Sequence, residues 1–349
     1  MTEWQREISN MVNTQYPAGR IVLDTIDSRL LAGNAAGDSA RRQLAIYLPP
    51  GYDEGVARYP SVYVLAGFGG RGVSLLNDSA WDVNLPQRLD RLIGSGHMRP
   101  MIVVMPDCLT RYGGSQYINS SATGRYEDYV ADEIVAHVDA RYRTVAARDW
   151  RAVSGKSSGG YGALMFAMRR PEVFGMAASH SGDLYFELCY KPAFARCLPV
   201  LERHGGLAGF VERLRDIRPR DPGFHATLNT VAMAACYSPD PAMSPGFVLP
   251  FDTHTGELHE AVWQRWLSWD PVHLAERHVD ALRSLRLLYL DAGTLDEFNL
   301  QYGARIFTQR LRGLGVPFMY EEFVDSHLNI PYRFDRSFRA ISEALPDGA

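Results

Sequence analysis

The chain has 349 residues, of which 46% are hydrophobic and 22% charged. That is enough to bury one large α/β domain with an insertion, or two smaller domains, and neither disorder nor a fibrous repeat is indicated. A formal charge of -4 and a sequence pI near 6.2 give no basic field for nucleic acid or anionic lipid, so the expected partner is a small molecule. The opening MTEWQREISN carries neither a signal-peptide nor a transit-peptide pattern, and no apolar run is long enough for a bilayer, so a cytoplasmic protein is expected with no membrane partner. Four cysteines (Cys108, Cys189, Cys197, Cys236) without CxxC or zinc-ligand spacing suit a reducing compartment, with a Cys189–Cys197 bridge as the alternative for an exported protein. Self-association into a homo-oligomer is left open.

In chain order, β-branched apolar runs predict strands at Arg20 to Asp27, Gln43 to Leu48, Pro60 to Leu65, Met101 to Met105, Trp150 to Val153, Gly175 to Ser179, Leu285 to Leu290 and Phe318 to Phe323. Helical spacing predicts helices at Gly124 to Tyr142, Ser158 to Arg170 (closed by Pro171) and Asp296 to Leu314. Strands alternating with helices imply a mostly parallel, doubly wound α/β sheet. The proline-rich stretch 184–270 breaks the rhythm and reads as a cap inserted into a core made of 1–183 and 271–349.

Between the fifth strand and the second helix lies Gly155-Lys-Ser-Ser-Gly159, a GxSxG frame centred on Ser157. In that context a serine sits on a tight strand-to-helix turn, with glycines where a Cβ would block backbone approach. Centring the frame on Ser158 would put Lys156 where the first glycine belongs, which makes Ser158 the weaker nucleophile; its backbone N–H is instead the expected first oxyanion donor. The second donor is expected from Phe68, in the glycine loop Leu65-Ala-Gly-Phe-Gly-Gly70 after the third strand. No Lys-Ser or Lys-Thr follows that loop and no GxGxxG opens a helix there, which argues against a phosphate site.

Downstream, Asp291-Ala-Gly-Thr-Leu-Asp-Glu297 offers three acids. Asp296, beyond Gly293-Thr294, is best placed to reach across the sheet top; Asp291 at the strand end is expected to cap the turn, and Glu297 is the reserve. Of ten histidines, His327 lies in the loop after the last strand, and the order Ser157, Asp296, His327 is that of an α/β-hydrolase. His180 precedes every candidate acid and is expected to line the pocket floor. An imidazole held by a carboxylate can take the proton from a hydroxyl too weak to react unaided, and this chemistry calls for no metal and no cofactor.

These segments, with Trp81-Asp-Val-Asn-Leu-Pro86 and Val103-Val-Met-Pro-Asp107, resemble the α/β-hydrolase esterases that include esterase D-like enzymes, feruloyl and enterochelin esterases and mycolyltransferases. The resemblance implies a triad of Ser157, Asp296 and His327 with Phe68 and Ser158 as oxyanion donors. Ala66 departs from the histidine or aspartate of many relatives, and Lys156 from their apolar residue. Trp81 and His180 are expected at the substrate. Trp263 and Trp266, at helical spacing with Trp269, are weighed between a core-packed face and an aromatic wall for a bulky acyl group. The function expected is serine carboxylesterase, with acyl transfer or a catalytically silent binding scaffold as alternatives.

Overall fold

The computed structural model describes residues 16–78, 82–214, 216 and 222–347. Eight strands form one sheet: β1 (Arg20–Asp27), β2 (Arg41–Leu48), β3 (Ser61–Leu65), β4 (Ile102–Pro106), β5 (Arg151–Lys156), β6 (Met176–His180), β7 (Leu287–Gly293) and β8 (Met319–Phe323). Their spatial order is β1-β2-β4-β3-β5-β6-β7-β8. β1 pairs antiparallel with β2 and β2 with β4, and every other pairing is parallel. This is the α/β-hydrolase sheet, and each predicted strand is present within a few residues of its expected limits.

Alternating side chains divide the sheet between two cores. On β3, Tyr63 and Leu65 face one cluster while Val62 and Val64 face the other, and on β4 Ile102 and Val104 oppose Val103 and Met105. Strands covered on both faces read as unbroken apolar runs, which is why the parallel strands were visible in the sequence. The smaller core is closed by α1 (Leu85–Gly94) and by a C-terminal helix, Phe334–Ala344. α1 begins with Asn84, whose side chain accepts from the Gln87 N–H in a capping box.

On the opposite face, the predicted helix over 124–142 is interrupted. A π-helical turn at Tyr129–Ile134 separates a short first turn from α2 (Val135–Arg141), and Tyr129, Val130, Ala131 and Ile134 are all buried through it. Next comes α3 (Ser158–Arg169), beneath the sheet's C-terminal edge. The stretch 184–270 supplies α4 (Phe186–Cys189), α5 (Phe194–Arg203), α6 (Gly206–Glu212), α7 (Phe224–Tyr237) and α8 (Glu260–Leu267). Its Phe194, Val231, Tyr237 and Trp266 share one buried cluster with Val153, Tyr161 and Phe166 of the sheet and α3. These helices therefore share one continuous core with the sheet. After it come α9 (Pro271–Leu274) and α10 (Leu300–Gly313), the latter starting four residues later than expected because Asn299 is left-handed, at φ 63°. All four cysteine thiols are free, so Cys189 and Cys197 are not bridged. Among the described residues no helix is long and apolar enough to cross a membrane.

Candidate active site

Ser157 links β5 to α3 at φ 58° and ψ −126°, a conformation that non-glycine residues rarely hold without support. The support is local. The Ser157 N–H donates to the His180 carbonyl at 2.9 Å and its own carbonyl accepts from the Tyr161 N–H at 2.9 Å. The flanking glycines are sterically required: a Cβ on Gly155 would lie 2.4 Å from the Gly159 carbonyl carbon, and one on Gly159 would lie 2.1 Å from the Leu65 carbonyl oxygen. The turn is thus pressed against the glycine loop that leaves β3.

That loop is held by Tyr117, whose hydroxyl donates to the Ala66 carbonyl at 2.6 Å, and by the Gly69 N–H, which donates to the Gly113 carbonyl at 2.7 Å. The Phe68 ring fits beneath Gly113, where a Cβ would sit 2.8 Å from its edge. Among the described residues the backbone N–H groups of Phe68 and Ser158 have no hydrogen-bond acceptor, so both remain available to a ligand.

Across the edge, beyond β7 and β8, His327 Nδ1 lies 2.8 Å from Asp296 Oδ2. Both side chains are buried, and Asp296 Oδ1 accepts from the Phe298 N–H at 2.9 Å. A buried imidazole–carboxylate pair of this length fixes one tautomer: Nδ1 donates, leaving the Nε2 lone pair free. Glu297, the reserve acid, instead accepts the His327 backbone N–H through Oε2 at 2.8 Å. The histidine loop meets the serine turn through Lys156, whose ammonium donates to the Leu328 carbonyl at 3.1 Å. Burial pushes the Lys156 amine below its ordinary range, against the pull of Asp296 and Glu297. Among the described residues no hydrogen bond joins Ser157 Oγ to the His327 ring.

Other expectations are corrected. The His180 ring is buried against Phe334 rather than facing solvent, with Nδ1 2.9 Å from Asp291 Oδ1 and Nε2 2.8 Å from Ser337 Oγ. Its contribution to the serine turn is its backbone carbonyl. Asp291, expected to cap a turn, is a buried member of β7 that also accepts from Arg333 at 2.9 Å and Tyr289 at 3.0 Å. Adjacent strands place His180 and Asp291 side by side, and pairing with the imidazole and with Arg333 offsets part of the cost of burying the carboxylate. Trp263 and Trp266 are core, packed on Phe194, with the Trp266 indole N–H donating to Ser238 at 2.9 Å. Trp81 lies outside the described residues.

Sequence reasoning missed the aromatic rim. Phe298 stands edge-on to His327 at 4.9 Å between centroids, and His225 of α7 lies 6.3 Å from Phe298 and 5.8 Å from Phe68. Nothing in the spacing of the insertion marks His225 for this position. Asp183 was equally silent, although it directly follows Ser179-His-Ser-Gly182.

Residues 39–315 match the model of a protein family described as "Putative esterase". Over 146 residues, 40% of this chain, the sequence is 34% identical to an endo-1,4-beta-xylanase/feruloyl esterase of Xylanibacter ruminicola, of whose length the match spans 19%. A solved ferulic acid esterase shares the fold with a TM-score of 0.60 at 19% identity, covering 95% of this chain and 100% of that one. An S-formylglutathione hydrolase from Agrobacterium tumefaciens does so at 0.58 and 17% identity, covering 96% and 98%. With a family match across most of its length, this chain belongs to the esterase family of α/β-hydrolases.

Proposed function

We propose that this protein is a serine carboxylesterase in which Ser157 is the nucleophile, His327 the base and Asp296 the carboxylate that orients it. The observation that carries this reading is the buried 2.8 Å bond between His327 Nδ1 and Asp296, on a loop clasped by Lys156 to the strained turn that bears Ser157. In the reaction, Ser157 Oγ attacks the ester carbonyl carbon as its proton passes to His327 Nε2. The tetrahedral oxyanion takes hydrogen bonds from the Phe68 and Ser158 N–H groups, and Asp296 stabilises the imidazolium. Collapse expels the alcohol, which takes the proton from Nε2. Water, deprotonated by His327, then attacks the acyl-serine and frees the acid and Ser157. The Ser157-to-His327 hydrogen bond that this step needs is expected to form on substrate binding, since such bonds are often long in free enzymes and tighten in the complex.

The substrate favoured by this reading is an ester of an aromatic acid. Phe68, His225 and Phe298 offer ring faces and edges around His327 that suit a planar acyl group, and relatives named feruloyl esterase support the same class. The insertion 184–270 would then shape the acyl site through His225. The four free thiols support a reducing, cytoplasmic setting.

The test is Ser157→Ala assayed on p-nitrophenyl acetate and methyl ferulate, with fluorophosphonate labelling of the wild type. A loss of about a thousandfold or more is expected. Retention of most of the turnover in the folded variant would overturn the assignment.

A further inference from the structure

The segment that follows β6 packs backbone to backbone against the first turn of α3. A Cβ on Gly160 would lie 3.0 Å from the Gly182 Cα, and one on Gly182 would lie 2.9 Å from the Gly160 carbonyl carbon. Two glycines facing each other permit this approach, and Ser181 completes it at φ 41°. The consequence is to carry Asp183 under the helix entrance as a buried carboxylate with no cation among its hydrogen-bond partners.

Its Oδ2 accepts from the Tyr190 hydroxyl at 2.7 Å, the Gln116 amide at 3.1 Å and the Ser158 hydroxyl at 3.4 Å. The Gln116 amide also reaches the hydroxyl oxygens of Tyr190 and Tyr237, at 3.1 and 3.0 Å. Gln116 itself sits in a left-handed conformation, φ 49°, in the loop whose Tyr117 holds the glycine loop at Ala66. One carboxylate oxygen thereby joins three separate pieces of chain: the stretch 184–270 through Tyr190, the loop after β4 through Gln116, and the first residue of α3 through Ser158; Tyr237 enters the network through Gln116 and Tyr190. Burial raises the Asp183 carboxyl above its usual range, and the donors from Tyr190 and Gln116 offset part of that cost. Among the described residues this desolvated carboxylate has no ion-pair partner, and its shared atom points to Ser158.

We propose that Asp183 is a positioning residue that fixes Ser158, and with it the backbone N–H that receives the oxyanion, and that Tyr190 couples the stretch 184–270 to that amide through it. The inference rests on the esterase reading above. A donor amide counts in catalysis only if it is held where negative charge develops, so a loosened Ser158 lowers turnover without altering ground-state binding.

The experiment compares Asp183→Asn, Tyr190→Phe and Ser158→Ala with wild type in the full chain, measuring kcat and KM on p-nitrophenyl acetate, the rate of fluorophosphonate labelling and the melting temperature. The expected result is a kcat lowered about tenfold in Asp183→Asn and severalfold in the other two, KM within about twofold, and labelling slowed in parallel. If Asp183→Asn does not fold, Tyr190→Phe and Ser158→Ala decide. Wild-type kcat in the folded variants would overturn the inference, as would a loss confined to KM or one matched by the fall in melting temperature. Ser157→Ala separates the two readings: loss of activity there with wild-type turnover in the Asp183 set sinks only the positioning role, whereas retained activity there sinks both.

Discussion

Ser157 bears the backbone cost of this site. At φ 58° and ψ −126° a Cβ is strained by about 1 to 3 kcal/mol, and only the surrounding hydrogen bonds and glycine contacts keep it there. Ser157→Gly is therefore expected to remove activity while raising stability by about 1 kcal/mol, the relief of strain exceeding the entropy that glycine adds to the unfolded chain. Urea unfolding of the two proteins checks this, and a less stable glycine variant would show that the turn is unstrained. At this scale the sequence was most legible where steric demand limits the residue type: Gly155 and Gly159 could be read because nothing larger fits. His180 was misread because a histidine after a strand looks alike whether it faces a pocket or, as here, the buried Asp291. The sequence carries no mark of which side of the chain its ring takes.

Asp270 does at the level of elements what Ser157 does at one residue. Its carboxylate caps α9 by accepting the Val272 N–H at 2.9 Å, and it also accepts the Tyr185 and Phe186 N–H groups at 3.2 and 2.8 Å, pinning the end of the insertion to its beginning. Asp270→Ala strips a cap and leaves buried amides without acceptors, and a loss of about 3 kcal/mol or more is expected in denaturant unfolding. A loss under about 1 kcal/mol would mean that the two ends hold together without it. The strands were readable because burial on both faces forces apolar runs, and α3 because a glycine-rich start and Pro171 bracket it. The start of α10 was not, since the Asp296–Asn299 turn depends on the Phe298 N–H bonding back to Asp296 and on a left-handed Asn299. Nor was the π-helical turn at Tyr129–Ile134, whose residues have ordinary helical character and differ only in what they meet.

For the whole molecule the response to acid combines opposing groups. Hydrogen bonds from Arg336 and Arg333 outweigh burial and hold Glu321 below its usual value of 4.5, and Arg305 does the same for Glu322. These depressed carboxyls contribute stability that is present above about pH 4.5 and lost as pH falls through their folded values. Asp270 has the opposite sign: burial outweighs its three N–H donors and raises it from 3.8 to about 6, so the folded state keeps its proton longer and loses stability as pH rises between those values. The melting temperature is expected to fall steeply below about pH 4 and to rise little between pH 4 and 6; a continuous steep rise through pH 6 would contradict the Asp270 assignment. The sequence by itself determined the esterase fold, the serine turn and the chain order of serine, acid and histidine, because periodic burial and obligatory glycines are written residue by residue. Only the tertiary structure decided that the tryptophans of α8 are core, that His180 pairs with Asp291, and that Asp183 and His225 stand beside the site. Those placements depend on which distant segments meet, and the packing of an insertion against a sheet edge leaves no period in the chain.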